Sequence, residues 1–479
     1  MKDKLLNLSK QTLIYGTSTI AGRFLNFILV PFYTNVFPPS EYGIVAVLFA
    51  YIAFMNIIYS LGFEAGYFRF ASSNEIGNEK QNFSHPFFVI MLNSGLLSVL
   101  LLIFSGSLSE LTGSGNYLFI VYSAFILFFD ALVLVPFAQL RLKNKAKLFA
   151  SIKLVNISVN VAMNLILVLG FKMGLIAVFI SNLTASIVTL LILLPVIFKN
   201  ISFEYHKELM SELRKFSLPY LPAAFASMAI QVINIPILKY LTDIKTVGIY
   251  NANYKLGIFM MLIVSMFEYA WRPFFLNNAK EPGAKELFAK VMTVFTGAAS
   301  VIFIVLVFFI DDIIKIPLPF KGHIIGEKYW SGVYIVPVVL LGYLFLGIYS
   351  NLMAGIYIEK KTKFLPYITG LGALLNVSVS FIAVPMLGII GGALAMLVSY
   401  LSMAVFIYIV SQKFYPVKYE TSKIAFMILS NLIAVFLFYL GYYGMIPFGF
   451  TLRIILAVIF CTGLIWISGL WKGKSLIKK

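Results

Sequence analysis

The sequence predicts an all-α integral membrane protein of about fourteen transmembrane helices: two six-helix lobes in parallel repeat, plus two C-terminal helices. Three observations predict it. Hydrophobic residues make up 61% of the 479 positions and charged residues 12%, half the roughly 25% charged content of a soluble globular chain. The apolar residues fall in runs long enough to cross hydrocarbon, which takes roughly 20 helical residues. The loops between runs alternate between rich and poor in Lys and Arg.

Taken in order, the runs cover 11–36, 42–64, 84–106, 117–140, 149–170, 173–197, 216–241, 247–271, 290–310, 331–357, 364–385, 388–411, 424–443 and 449–470. Links as short as Phe171–Lys172 and Leu387 make their neighbours antiparallel hairpins. The first run follows a basic N-terminus, as a signal peptide would. It is about 26 residues long, contains Arg23 and lacks a small-residue cleavage site, so a retained helix is expected.

Of the 37 Lys and Arg residues, 27 lie in one alternating set of loops and tails and 6 in the other. Four remain inside runs: Arg23, Lys153, Lys239 and Lys255. By the positive-inside rule this bias places both termini in the cytoplasm and supports an even helix number. It also accounts for the net charge of +18 without nucleic acid as a partner. Cys461 stands alone, and His85, His206 and His323 lack ligand spacing. No metal site, disulfide or cofactor is expected. Gly469–Ser475 imitates a phosphate loop but is one residue short of the motif, with no helix after it.

The chain repeats itself. Pro31 to Gly43-Ile44 has the same spacing as Pro236 to Gly248-Ile249, 205 positions on. Glu64 and Arg69 then face Glu268 and Arg272; Lys145-Ala-Lys147 resembles Lys361-Thr-Lys363, and Asn160-Val resembles Asn376-Val. Six helices per copy keep both copies in one orientation, the parallel arrangement of carriers whose halves rock around a central cavity. The expected domains are 1–200, 201–415 and an extra helix pair with its tail at 416–479.

The turn Pro38-Pro39-Ser40-Glu41-Tyr42-Gly43-Ile44, the hairpin from Pro385 through Gly388, Gly391-Gly392 to Ala395, and Gly326-Glu-Lys-Tyr-Trp resemble the multidrug/oligosaccharidyl-lipid/polysaccharide exporter superfamily over the whole chain. Within it the chain looks like the polysaccharide branch, the Wzx-type O-antigen and capsule repeat-unit flippases. The resemblance implies a carrier that moves undecaprenyl-pyrophosphate-linked oligosaccharide across the cytoplasmic membrane by alternating access through a cationic inter-lobe cavity. It implies membrane lipids, a polysaccharide polymerase and chain-length machinery as partners. No ATP motif is present, so a proton or sodium gradient, or downstream consumption of the product, is the expected energy source. A lipid II flippase and a cation-coupled multidrug exporter of the same superfamily are the alternatives. The latter needs acidic cavity residues, and the mid-run charges here are mainly cationic. An enzyme of lipid-carrier chemistry is not expected, since no nucleophile–base pair or large extramembrane loop is seen.

A charged side chain at the bilayer centre is costly and faces a bundle interior or water. Arg23 is therefore the leading cavity candidate, able to hold a phosphate by paired hydrogen bonds or to pair with Asp130. Lys255 lies about eight residues into its run, roughly 12 Å deep. Asn251 precedes it by one turn. The two line a cavity, or Lys255 snorkels. Glu64, Arg69, Glu268 and Arg272 form a cytoplasmic gate or latch, or anchor helix ends. Asp130 serves ion coupling, or pairs with Arg23 or Lys153. The intramembrane amides Asn93, Asn156, Asn160, Asn164, Asn182, Gln231, Asn234 and Asn376 are expected to make interhelical bonds in the main.

Overall fold

In the computed structural model, residues 27–73, 75–318 and 322–472 are described. Among them every regular element is a helix, apart from one isolated antiparallel bridge between Pro317 and His323. Twelve helices are long and apolar enough to cross a membrane, or thirteen if one bent pair counts as a span. The first expected run is described only as the short helix α1, Phe27–Val36. The count of fourteen is thus approximate.

The first half continues with α2 (Pro39–Ser60), α3 (Phe63–Ser73), α4 (Glu79–Ile103), α5 (Ser105–Thr112), α6 (Tyr117–Leu132), α7 (Leu134–Leu142), α8 (Ala146–Leu165), α9 (Ile176–Asn200), α10 (Lys207–Ser217) and α11 (Leu221–Val232). The second holds α12 (Asn234–Leu241), α13 (Ile244–Tyr254), α14 (Ile258–Asn278), α15 (Ala284–Ile314), α16 (Val336–Ile358), α17 (Leu365–Leu387), α18 (Ile389–Phe414), α19 (Thr421–Tyr442) and α20 (Phe450–Ser468).

Local chemistry sets the boundaries. Asn78 and Gln81 cap α4 reciprocally: each side-chain oxygen accepts the other residue's backbone N–H, at 2.9 and 3.0 Å. Asp243 caps α13, accepting from the Thr246 N–H at 2.9 Å and its hydroxyl at 2.7 Å. Burial pushes the Asp243 carboxyl up, but these bonds outweigh it and hold its pKa below the ordinary value. Two prolines break spans. A proline ring clashes with the carbonyl four residues back; α6 stops at Leu132 before Pro136, and α11 stops at Val232 before Pro236. The second break bends the expected 216–241 run by 59°.

The repeat is written in the backbone. The pairs Val36 and Leu241, Ser73 and Asn278 end helices, and the pairs Pro39 and Ile244, Glu79 and Ala284 start them, all 205 positions apart. Later the offset is 216. Leu142 and Ile358 end helices at that spacing. Asn144 (φ 56°) matches Lys360 (φ 54°), and Lys172 (φ 52°) matches Gly388 (φ 65°), left-handed turns at equal places. The Asn160–Asn164 amide pair, 2.9 Å, is mirrored by Asn376–Ser380, 3.5 Å.

The chain divides into two compact units. The first holds Ser40–Pro236, including α10 and α11. Its core joins Tyr59, Phe63, Tyr67, Phe83, Leu209 and Leu213. The amphipathic α10 buries Leu209, Met210, Leu213 and Ser217, and Gly66 leaves no room for a Cβ against Ser217. The link before α10 is tied to α4: Ser202 N–H donates to Ser84 Oγ at 2.7 Å and His206 N–H to His85 Nε2 at 2.8 Å.

The second unit holds the chain from Ile237 on, together with Val30–Pro39. Its centre is α16, buried from Val336 to Ile356 almost without a break. Helices α19 and α20 pack on α15, where Asn431 donates to Ser300 at 2.8 Å and Arg453 pairs with Asp312 at 2.5 and 3.3 Å. The Val30–Pro39 stretch is bolted to the turn before α16. The Asn35 amide exchanges two bonds with the His323 backbone, 2.6 and 3.1 Å. Gly326 N–H donates to Thr34 Oγ1 at 3.1 Å, and Tyr329 donates to the Phe37 carbonyl at 2.8 Å.

Candidate functional site

Arg23 lies outside the described residues. The other candidates fall into two constellations, one in each unit.

In the first unit, five helices bring charge together. Asp130 on α6 is half-buried, and its Oδ1 accepts from Ser186 Oγ of α9 at 2.7 Å. Lys153 on α8 holds its ammonium 4.3 Å from the centre of the Phe137 ring. Asp130 and Lys153 are not within ion-pair distance. One turn from Lys153, Asn156 donates to Thr189 Oγ1 at 2.8 Å and to the Ala185 carbonyl at 3.1 Å. The arrangement is an opposite-charge pair held open, each member fixed by a different neighbour. The second half has no copy of it: 216 positions on stand Leu346 and Thr369.

Glu64 pairs with Arg141 of α7, whose guanidinium also lies 4.6 Å from the Phe68 ring centre. Arg141 was legible only as one more loop charge, because it ends an apolar run. Arg69 reaches Glu75 at 3.9 Å, both exposed. In the second unit Arg272 donates to the Tyr357 hydroxyl at 3.0 Å. Glu268 is half-buried, with no ion pair among the described residues. Within each unit the two do not pair: Glu64 does not meet Arg69, nor Glu268 Arg272. Beside Glu64, a polar layer joins Tyr67 to Gln139, Gln139 to Glu79 (3.2 Å) and Asn200 (3.0 Å), and Glu79 to Lys143 (2.7 Å).

Lys255 opens a 3-10 turn, Lys255–Gly257, that interrupts the Ile244–Asn278 span. Gly257 is required there: a Cβ would stand 2.6 Å from Val339 and 2.7 Å from the Tyr343 ring. Lys255 is exposed and has no hydrogen-bond or ion-pair partner among the described residues. Asn251 is buried, so the two do not form one exposed stripe; the tightened turn separates them. Sequence reading missed the aromatic cluster next to it. Tyr250 stacks on Tyr254 at 5.5 Å, Tyr343 donates to the Tyr254 hydroxyl at 3.2 Å, and Tyr400 lies 6.1 Å from Tyr343. These four tyrosines stand in three separate apolar runs, and no spacing in the sequence marks them as a cluster.

Of the amides, Asn93 donates to the Ile58 and Tyr59 carbonyls at 2.9 and 3.0 Å, while Asn182 bonds its own helix at Val178. Among the described residues no group of three His, Cys, Asp or Glu side chains could hold a metal.

A family model described as polysaccharide biosynthesis protein matches residues 8–278, more than half of the chain. No curated protein matches the sequence. Solved structures similar to it include the lipid II flippase MurJ in an inward closed conformation (TM-score 0.72, 17% identity, 97% of this chain and 100% of that one). An inward-facing multidrug resistance MATE family transporter of the MOP superfamily gives a TM-score of 0.63 at 11% identity, over 82% of this chain and 94% of that one. An MOP superfamily transporter from Pyrococcus furiosus, described as having a binding pocket of reverse polarity, gives 0.58 at 13% identity, over 85% and 94%. At these identities the likeness is one of fold: the all-helical membrane architecture expected from sequence is that of flippases and exporters.

Proposed function

The chain belongs to the polysaccharide biosynthesis protein family, and from that premise we propose that it is a flippase for undecaprenyl-pyrophosphate-linked oligosaccharide repeat units in surface polysaccharide assembly. The observation that carries this reading is Lys255: a cation in a membrane-crossing helix, exposed and without a partner among the described residues. Such a charge costs about 3 kcal/mol at the bilayer centre, and an anionic cargo would offset it. A pyrophosphate head is such a cargo, and it cannot cross hydrocarbon unaided.

Lys255, with Arg23, is assigned to the phosphates. Asp130 and Lys153 are assigned to coupling with a proton or sodium gradient, because an opposite-charge pair held open can take up or release a cation. Glu64 with Arg141, and Arg272 with Tyr357, hold the helix ends on the basic face. The working location is the cytoplasmic membrane of a prokaryote, with both termini in the cytoplasm, as the basic-residue bias supports. Polymerase and chain-length machinery would consume the product.

A second reading, lipid II as cargo, is favoured by the likeness to MurJ over nearly the whole chain. The two separate in one experiment. In proteoliposomes, leaflet exchange of a fluorescent undecaprenyl-pyrophosphate oligosaccharide and of lipid II is measured side by side. Exchange of the oligosaccharide, lost in Lys255→Ala, supports the first reading. Exchange of lipid II alone transfers the assignment, and exchange of neither overturns both.

A further inference from the structure

The hairpin of α17 and α18 carries a feature that the transport reading does not use. Its two outer ends, Thr362 and Phe414, lie at the same membrane face, because the helices are joined by the tight turn at Gly388. There Phe364 and Phe414 pack with ring centres 5.5 Å apart. Three ammonium groups gather on this pair. Lys361 stands 5.1 Å and Lys413 6.0 Å from the Phe414 ring centre, and Lys363 stands 5.6 Å from that of Phe364. None of the three has a carboxylate partner among the described residues. Like charges gathered on two rings repel, and an aromatic face offsets only about 1 kcal/mol per cation at exposed sites. The cluster therefore has unspent positive charge directed at one membrane face.

The same helices continue inward as exposed apolar surface: Leu374 on α17, and Val405 and Ile409 on α18. A ligand suited to both parts is anionic at one end and apolar along its length. The first half lacks the arrangement. The positions 216 earlier are Lys145, Lys147, Leu148, Ile197 and Phe198, with one aromatic and two lysines. The collar is thus not a by-product of the repeat.

We propose that Lys361, Lys363 and Lys413, around the Phe364–Phe414 pair, form a binding site for the headgroup of an anionic phospholipid. The acyl chains lie along the exposed apolar faces of α17 and α18. Juxtamembrane lysines near an anionic surface each contribute attraction of this kind, and here two rings hold three of them in one place.

The test uses the full-length protein in detergent, with its unfolding temperature read against added phosphatidylglycerol, phosphatidylcholine or inorganic pyrophosphate. Phosphatidylglycerol raises the temperature above the phosphatidylcholine level, and pyrophosphate does not. K361Q/K363Q/K413Q reduces the phosphatidylglycerol shift to the phosphatidylcholine level, K361R/K363R/K413R keeps it, and K145Q/K147Q keeps it. If the triple glutamine variant unfolds, Lys361→Gln alone serves, with a weakened phosphatidylglycerol titration expected. The proposal is overturned if phosphatidylglycerol gives no extra shift or if the glutamine variants retain it in full. It is also overturned if pyrophosphate gives a shift that these lysines control, which would make the site one for free phosphate. Transport plays no part in the readout, so the result is independent of the cargo.

Discussion

Lys255 and Asp130 are the two residues whose charge has the clearest consequences. For Lys255→Ala, the expected outcome is a fall of about tenfold to a hundredfold in leaflet exchange, the worth of one charge-assisted hydrogen bond, at unchanged membrane abundance. Lys255→Arg should keep most of the rate. Equal rates for wild type and alanine would remove the phosphate role. Asp130→Asn keeps an oxygen to accept from Ser186 but deletes the charge. Its transport should become insensitive to an imposed proton or sodium gradient, measured as exchange with and without the gradient. Asp130 and Lys255 stood out in the sequence because a charge inside an apolar run is rare. Ser186 and Arg141 did not. A serine in a membrane helix and an arginine at a run's end are ordinary, and only the packing of α3 on α7 and of α6 on α9 reveals their partners.

At the scale of elements, apolar length and proline chemistry made most spans legible. The breaks at Pro136 and Pro236 follow from the ring clash with residue i−4, while the size of the bend at the second, 59°, is written in no local pattern. Pro236→Ala should straighten that span, which is checked by spin-label distances from α11 to α12. An unchanged distance would mean that packing alone holds the bend. Asp243→Ala should cost about 1 kcal/mol, the usual worth of a helix cap, read as a lower unfolding temperature at neutral pH. The sign of its pH dependence is defined. The folded-state pKa of Asp243 is depressed, so its contribution is complete above the unfolded-state value and is lost as pH falls through the folded-state one. The wild type and variant should therefore converge in acid.

At the scale of the whole molecule, the duplication was visible in a few spaced residues, and the helix boundaries repeat it at offsets of 205 and 216. The second half holds eleven more residues between these registers, in the stretch that contains the turn before α16. What no sequence pattern announced is the allegiance of Val30–Pro39. Thr34 and Asn35 fall at the end of the first expected run, and their partners lie 292 and 288 positions away. Such distant pairing has no periodicity to betray it. Asn35→Ala should leave the first unit intact and loosen the turn at His323, seen as faster amide exchange at Gly326.

That ten-residue loan has a consequence for the molecule's ancestry and for anyone who cuts it. A gene doubled end to end should yield twins that part cleanly at the seam. Here the seam at 201–206 would strand α10 and α11 with the wrong twin and leave Asn35 without its backbone host. Two fragments, 1–205 and 206–479, should each be degraded when made alone and accumulate when made together, as immunoblots of membranes will show. On that outcome neither twin can be discarded, and the doubling is one that the molecule cannot undo by losing half.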